Sequence, residues 1–471
     1  MAKMKHLALI IGALVAAPAM AWAQSPAEQP LDAQARALMW SGDAGAATRT
    51  MREYVVSHPT DQVAVLDLAR YLTWAGDYAG AKRVLDLHPE AAASPDGQVV
   101  LAAVLAWGGR IRAAQAANAA ALAADSDGLL PNYTQAVALR QSARPRVALP
   151  YVEAVKHAKP DSKDARDLER AVRIHTDSFI ALDYQHGSDS DGLVRSQPTL
   201  RGEFAQGDAL RWTMDLGHWD YRGPTTGPFS SSSGGRSVGE NRGLFGVRYA
   251  PSLYTQLSAA VGQSSIPGDS LTLWRLGLDQ RVSDTFRFDL AAGRDRLDAS
   301  PRSLSLGLDR TGIAGHAQWT PDFNWTGDLW LRRDHYSDSN ASVDWDAALR
   351  RAVVRVPHFM LDLGVAAQHL SFDDNPGDGY YAPSDYRRYA LVAYSYIGLN
   401  DNTGLAIQAG VGRQRDETFT SWRRANDISA SLVIGIFSSW QLNLNAGYSQ
   451  RILNTGAYAG HSWGATLTHR F

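Results

Sequence analysis

The chain has 471 residues, with 46 Lys and Arg against 48 Asp and Glu, a formal net charge of −2. Without a basic excess it is not expected to bind nucleic acid. It contains no Cys, which excludes thiolate metal sites, Cys nucleophiles and disulfide frameworks.

Lys3 and Lys5 precede an apolar stretch from Leu7 to Ala17, and Ala21-Trp22-Ala23 offers a small-residue cleavage site. This is the layout of a secretory signal peptide over residues 1–23, so export from a bacterial cytoplasm is expected. Beyond this stretch no apolar run approaches the roughly 18 residues that a spanning helix needs.

Residues 24–175 are expected to form helical repeats. Trp40-Ser41-Gly42-Asp43 recurs as Trp74-Ala75-Gly76-Asp77 and as Trp107-Gly108-Gly109-Arg110. Small residues follow at a fixed offset, at Ala47, Ala81, Ala114 and Ala148. Gly permits a sharp turn between two helices, Ala lets them approach, and Pro59, Pro89 and Pro160 close units. Helix pairs of this kind bury their apolar faces only against neighbouring pairs. The period, with the Gly76-Asp77-Tyr78-x-x-Ala81 segment, resembles tetratricopeptide repeats, which implies a protein- or peptide-docking surface in the periplasm, with a spacer or plug support that has no partner of its own as the alternative. The region carries 17 basic and 17 acidic residues, so no electrostatic class of partner stands out.

From residue 176 the character changes. Lys disappears, all 27 basic residues are Arg, and ten of the 14 Trp fall here. Strict alternation appears in Leu210–Leu216, Trp274–Asp279, Phe286–Leu290 and Gln441–Ala446, the signature of strands with two different faces. Short connections are expected near 206–208, 250–252, 283–284, 320–322, 356–357, 398–401 and 438–439. Long ones are expected at 220–239, 298–309, 371–383 and 413–424. Segments of about ten residues with short turns alternating with long loops predict an antiparallel transmembrane β-barrel of about 16 strands over 176–471. The partners expected of such a chain are outer-membrane lipid and, through the terminal aromatic Phe471, the outer-membrane assembly machinery.

A barrel of that size encloses an aqueous lumen. With the apolar face toward lipid, alternation assigns Arg211, Asp215, Arg275, Asp279, Arg281, Arg287, Asp289, Asp328, Trp330, Arg332, Asp334, Asn443 and Asn445 to the lumen. An ion-selective pore favours one sign of charge. This mixed wall suits a polar, mostly uncharged polymer, or else Arg–Asp pairs that brace the wall. The facing of Tyr394 and Tyr396 stays open at this point.

No enzyme chemistry is expected. His-Glu-x-x-His is absent, and the 13 His lack ligand spacing. Asp344-Trp345-Asp346 places two carboxylates on one strand face without a matching base. Asp373–Gly379 has the oxygen density of a Ca²⁺ loop but lacks the closing Glu, and is expected to be a solvated turn. No metal or other cofactor is implied.

The combination resembles the outer-membrane exporters of exopolysaccharide systems, the poly-N-acetylglucosamine porins and the barrel of cellulose synthase operon protein C. Gly379-Tyr380-Tyr381-Ala382-Pro383-Ser384-Asp385-Tyr386 resembles a Gly-Tyr-Phe/Tyr-Ser-Pro-x-x-Tyr stretch of the cellulose exporter. The chain is also similar to the smaller YaiO-type outer-membrane barrels. The first resemblance implies a channel for a polysaccharide, with repeats that guide the polymer or dock periplasmic or inner-membrane synthesis proteins. The second implies a surface or structural barrel, such as a phage receptor, adhesin or envelope organiser.

Overall fold

A computed structural model describes residues 30–451 and 459–471. The expected signal peptide, residues 1–23, lies outside the described residues. The chain divides into a helical unit and a barrel unit.

The helical unit runs α1 (Leu31–Ser41), α2 (Ala44–Ser57), α3 (Gln62–Trp74), α4 (Tyr78–Leu87), a single turn α5 (Pro89–Ala93), α6 (Pro95–Trp107), α7 (Ile111–Ala124), α8 (Leu129–Leu139), α9 (Leu149–Ala158) and α10 (Lys163–Thr176). Gly42, Gly76 and Gly109 take φ of +90°, +79° and +79° between the paired helices, a conformation that disfavours side chains. Asp43 and Asp77 then cap the second helix of their pairs, accepting from the Ala46 and Gly80 amides. Ala47, Ala81, Ala114 and Ala148 are buried where the helices meet. Trp40 is 49% exposed and Trp107 36%, so these repeat-marking rings sit at the rim while alanines and leucines form the core. Gln141 stands where a fourth Trp would fall, and its amide donates to the Ala106 carbonyl at 2.8 Å.

The barrel unit begins with β1 (Phe179–Asp189), β2 (Val194–Gln206), β3 (Leu210–Arg222), β4 (Ser237–Ser252), β5 (Thr255–Ile266), β6 (Asp269–Arg281), β7 (Phe286–Arg296), β8 (Asp309–Trp319) and β9 (Trp325–Tyr336). It continues with β10 (Ala341–Val356), β11 (Phe359–Phe372), β12 (Tyr386–Asn400), β13 (Thr403–Arg415), β14 (Arg423–Arg424), β15 (Asp427–Ile434), β16 (Trp440–Ser449) and β17 (Gly460–Arg470). β14 and β15 both pair with β13 and form one interrupted strand, so these segments make sixteen spanning strands. β17 pairs with β1 from Phe179↔Arg470 to Asp189↔Gly460, which closes the barrel and leaves no free edge.

All the long connections lie at one end, beside short turns at 190–193, 267–268 and 337–340. At the opposite end lie two- to five-residue turns such as 207–209, 253–254 and 357–358; the end with the long connections carries 223–236, 297–308 and 373–385. Short turns mark the periplasmic end of outer-membrane barrels. Both β1 and β17 meet the turn end, so the chain enters and leaves the barrel there. Several expected boundaries move. Ala250-Pro251-Ser252 is not a turn but the end of β4, where the ladder shifts register between Tyr249 and Ser252. β12 extends through Asn400 and β13 through Arg415, each further than the turn-forming residues suggested. Pairing with a long neighbour carries a strand past its own polar end.

Candidate functional site

The ladders fix which face each side chain occupies. Leu182, Phe245, Val261, Ile313, Leu391 and Val411 are all more than half exposed, and they share one face. A continuous apolar belt on the outside of a closed sheet is stable only in lipid. The alternate residues point inward.

All thirteen residues assigned to the lumen by alternation lie on the inward face of their ladders. They do not form one cluster. Arg211 donates to Glu203 at 2.6 Å, and Arg248 donates to the other Glu203 oxygen at 2.6 Å. Asp215 stands opposite Arg201. Arg275 pairs with Asp295 at 3.1 Å, and Arg242 reaches the same carboxylate at 2.5 Å. Asp279 faces Asp289, and Arg281 faces Arg287 one step further along. Arg332 pairs with Asp334 at 2.6 Å. Asn443 accepts from Ser431 at 2.8 Å, and Asn445 donates to Gln185 at 3.1 Å.

One row crosses four strands: Asp289, His316, Trp330 and Asp346 stand side by side on β7 to β10. The His316 ring lies flat on the Trp330 indole, with centroids 3.7 Å apart and 8° between planes. Its two nitrogens sit 3.1 Å from Asp289 and 3.1 Å from Asp328. Asp328 also accepts from Gln318 at 2.9 Å and from Arg350 at 2.6 Å. Trp330 is 51% exposed although it faces inward. An inward indole in contact with water means that the lumen is hollow at this level.

The inward residues that alternation did not select include Glu203, Arg242, His316, Arg350, Arg388 and Arg451. Arg388 pairs with Asp427. Arg451, beyond β16, reaches Gln368 on β11 at 2.6 Å and Asp346 on β10 at 3.6 Å. Tyr396 shares the inward parity of Arg388, and a Cβ on Gly404 would meet the Tyr396 hydroxyl; Tyr394 lies on the same face. Asp344 and Asp346 project side by side into the lumen. Among the described residues no group of three or more His, Asp or Glu gathers as a metal site.

The loop end of the lumen is narrowed by a lid with its own core. α11 (Pro301–Ser305) inserts Leu304 among Tyr221, Val238 and Ile266, three inward residues of β3 to β5. Leu297, Ala299 and Leu308 pack with Tyr380 and Ala382 against inward Tyr336 and Phe372. The two loops are tied together. Ser300 Oγ donates to the Gly379 carbonyl at 2.5 Å, and Arg302 donates to the Gly377 carbonyl at 3.0 Å. A third loop joins through Ser232, whose amide donates to Ser305 Oγ at 2.9 Å. Tyr380 donates to Asp338 at 2.7 Å and Tyr381 to Asp416 at 2.5 Å. Burial, reinforced by these carboxylate acceptors, pushes both phenols well above their ordinary range. The Asp373–Gly379 turn belongs to this lid: Asp378 faces Arg302 at 3.9 Å, and the Asp374 carbonyl accepts from Asn340.

No family model and no curated protein matches the chain. Among solved structures it is similar to one described as a bacterial polysaccharide outer membrane secretin. The TM-score is 0.54 at 14% identity, over 63% of this chain and 99% of that one. OmpT, an outer membrane protein of Vibrio cholerae, gives 0.34 at 10% identity over 63% and 97%. The first of these similarities, with the closed ladder, gives the chain an outer-membrane barrel fold. A tetratricopeptide repeat protein of Parabacteroides merdae gives 0.28 at 13% identity over 31% of this chain and 57% of that one.

Proposed function

We propose that the barrel passes a hydroxyl-rich, mostly uncharged polysaccharide across the outer membrane and catalyses no reaction. The observation that carries this reading is the wall around Trp330. It offers a half-exposed aromatic face for a sugar ring, flanked by carboxylates and guanidinium groups that pair with each other rather than presenting one net sign. Aromatic faces bind apolar ring faces, while paired ions retain spare lone pairs and N–H groups for hydroxyls. A structural neighbour is described as a polysaccharide secretin, which makes a polysaccharide the first cargo to test. Synthesis on the inner side would drive the polymer, and the contacts must be weak enough to leave. The helical repeats, joined to the barrel at its turn end, would guide the polymer or dock synthesis proteins in the periplasm.

The lid favours a second reading, a closed surface or structural barrel such as a receptor or envelope organiser. Its core of Leu304 and Tyr380 is as buried as that of a small domain. Planar-bilayer recording on the purified chain separates the two. A conductance reduced by neutral oligosaccharide supports transport; a barrel that stays shut under all voltages supports the second reading. Unchanged exopolysaccharide release from a deletion strain would remove transport.

A further inference from the structure

The outer face of β10 to β13 carries a feature that transport does not use. An apolar groove of about 770 Å³ is floored by Ala347 and Ala367 and walled by Leu391, Val411, Tyr389 and Trp422. Its volume falls within the roughly 300–1,000 Å³ of ordinary ligand sites. The Tyr389 and Trp422 rings meet at 5.6 Å toward the loop end, and Arg413 lines the rim there. Arg413 stands directly opposite Arg424 on β14, and both are exposed. Arg415, also exposed, follows on the same face. Like charges placed opposite each other in a ladder oppose its formation unless an anion lies between them.

The carboxylates nearby are already engaged. Asp385 pairs with Arg387 at 2.8 Å and with His369 at 3.3 Å. Glu417 accepts from the Ser384 and Asp385 amides at 3.0 and 3.3 Å. Asp416 accepts from Tyr381 and from Thr418. Among the described residues neither Arg413 nor Arg424 has a side-chain partner.

The geometry points to a binding site for one phosphorylated, acylated glycolipid of the lipid A class. An acyl chain lies in the groove, and a phosphate bridges the Arg413 and Arg424 guanidinium forks. The groove faces hydrocarbon, the arginines lie at the level of the headgroups at the loop end, and the ring pair sits between them as in an interfacial aromatic girdle. Guanidinium forks match phosphate oxygens two at a time. This assignment rests on the outer-membrane placement of the barrel and is independent of what the lumen carries.

Native mass spectrometry of the detergent-purified full chain tests it, with three probes: bis-phosphorylated lipid A, lipid A lacking both phosphates, and phosphatidylglycerol. The wild type is expected to retain the phosphorylated lipid A. Retention should fall about tenfold in R413Q/R424Q, as expected on losing two charge-assisted contacts. R351Q, an outward arginine at the turn end over Trp325, should retain it like the wild type. Equal retention by R413Q/R424Q, equal binding of dephosphorylated lipid A, or equal binding of phosphatidylglycerol would each overturn the site. Heat-modifiable gel mobility reports folding; if the double variant lacks it, R424Q alone is read with the same probes and the same expectations. Absence of that mobility in the wild type would instead sink the barrel placement.

Discussion

Gly379→Ala should open the lid. Gly379 holds φ at +86°, and a Cβ there would meet Ser300 Oγ at 2.5 Å, Arg302 Cβ at 2.6 Å and the Ser303 amide at 2.9 Å. The left-handed backbone costs an alanine about 1–2 kcal/mol. Displacing Ser300 breaks its bond to the Gly379 carbonyl and leaves a buried carbonyl unsatisfied, a further cost of about 1–3 kcal/mol. Both costs vanish when the loop swings out, so the closed state loses about 2–5 kcal/mol relative to the open one. At tenfold per 1.4 kcal/mol, the open-to-closed ratio rises by about thirty- to several-thousand-fold. Gly377→Ala is the matched control: its φ is +75°, but nothing lies within 4 Å of the added carbon. It suffers the backbone cost alone. Single-channel recording should show long high-conductance dwells in G379A and far fewer in G377A. If the two variants gate alike, the Ser300 contact does not hold the lid, and the loops are a fixed rim.

Trp330→Ala removes a stacking face that is already half in water, so heat-modifiable mobility should be unchanged while block of the conductance by neutral oligosaccharide weakens about five- to tenfold; equal block would place the sugar elsewhere. Glu203→Gln strips the carboxylate shared by Arg211 and Arg248, and the reversal potential in a KCl gradient should move toward anion preference. An unmoved potential would mean that the turn end does not control ion entry. In the helical unit, burial raises the Asp164 carboxyl above its ordinary 3.8, and Lys159 at 3.6 Å counters only part of that. A raised carboxyl pKa means that the folded state holds its proton more tightly than the unfolded one, so the wild type gains stability relative to D164N as pH falls from neutral toward 4. Paired thermal melts followed at 222 nm should show the gap shifting in that direction; a gap independent of pH would contradict the burial argument.

The architecture was legible because period carries it. The Trp-x-Gly recurrences locate Gly42, Gly76 and Gly109, which turn the helix pairs as expected, and the strict alternation of Phe286–Leu290 or Gln441–Ala446 leaves only one face for lipid. The lumen was legible only in such strands. On β2, Pro198 and Gly202 occupy outward positions and blur the apolar face that would have assigned Arg201 and Glu203 inward. On β4, Gly239 and Gly243 do the same for Glu240 and Arg242. His316 sits among small residues on β8, and its role appears only once register places it between Asp289 and Trp330. The lid was not readable at all: Ser300 and Gly379 are 79 positions apart, and no local pattern announces that two polar loops share a buried core.

The arrangement of charge inside the barrel meets two demands with one device. Arg and carboxylate side chains on an inward wall must be paired, because a lone ion in a narrow lumen forfeits hydration. Yet a wall of fully saturated pairs would offer a passing polymer nothing. Here the pairs share partners unequally. Glu203 serves two arginines, Asp295 serves two, and Asp328 takes a histidine, a glutamine and an arginine. The guanidinium groups of Arg248 and Arg275, each about half exposed, still meet water beside the shared carboxylate. A hydroxyl can bind these groups in exchange for water at small net gain. A charged polymer would instead have to break the pairs. On the proposed transport function, the same sharing would make the wall permissive to neutral sugars and resistant to ionic ones, and anionic oligosaccharides should block the conductance less than neutral ones of equal length.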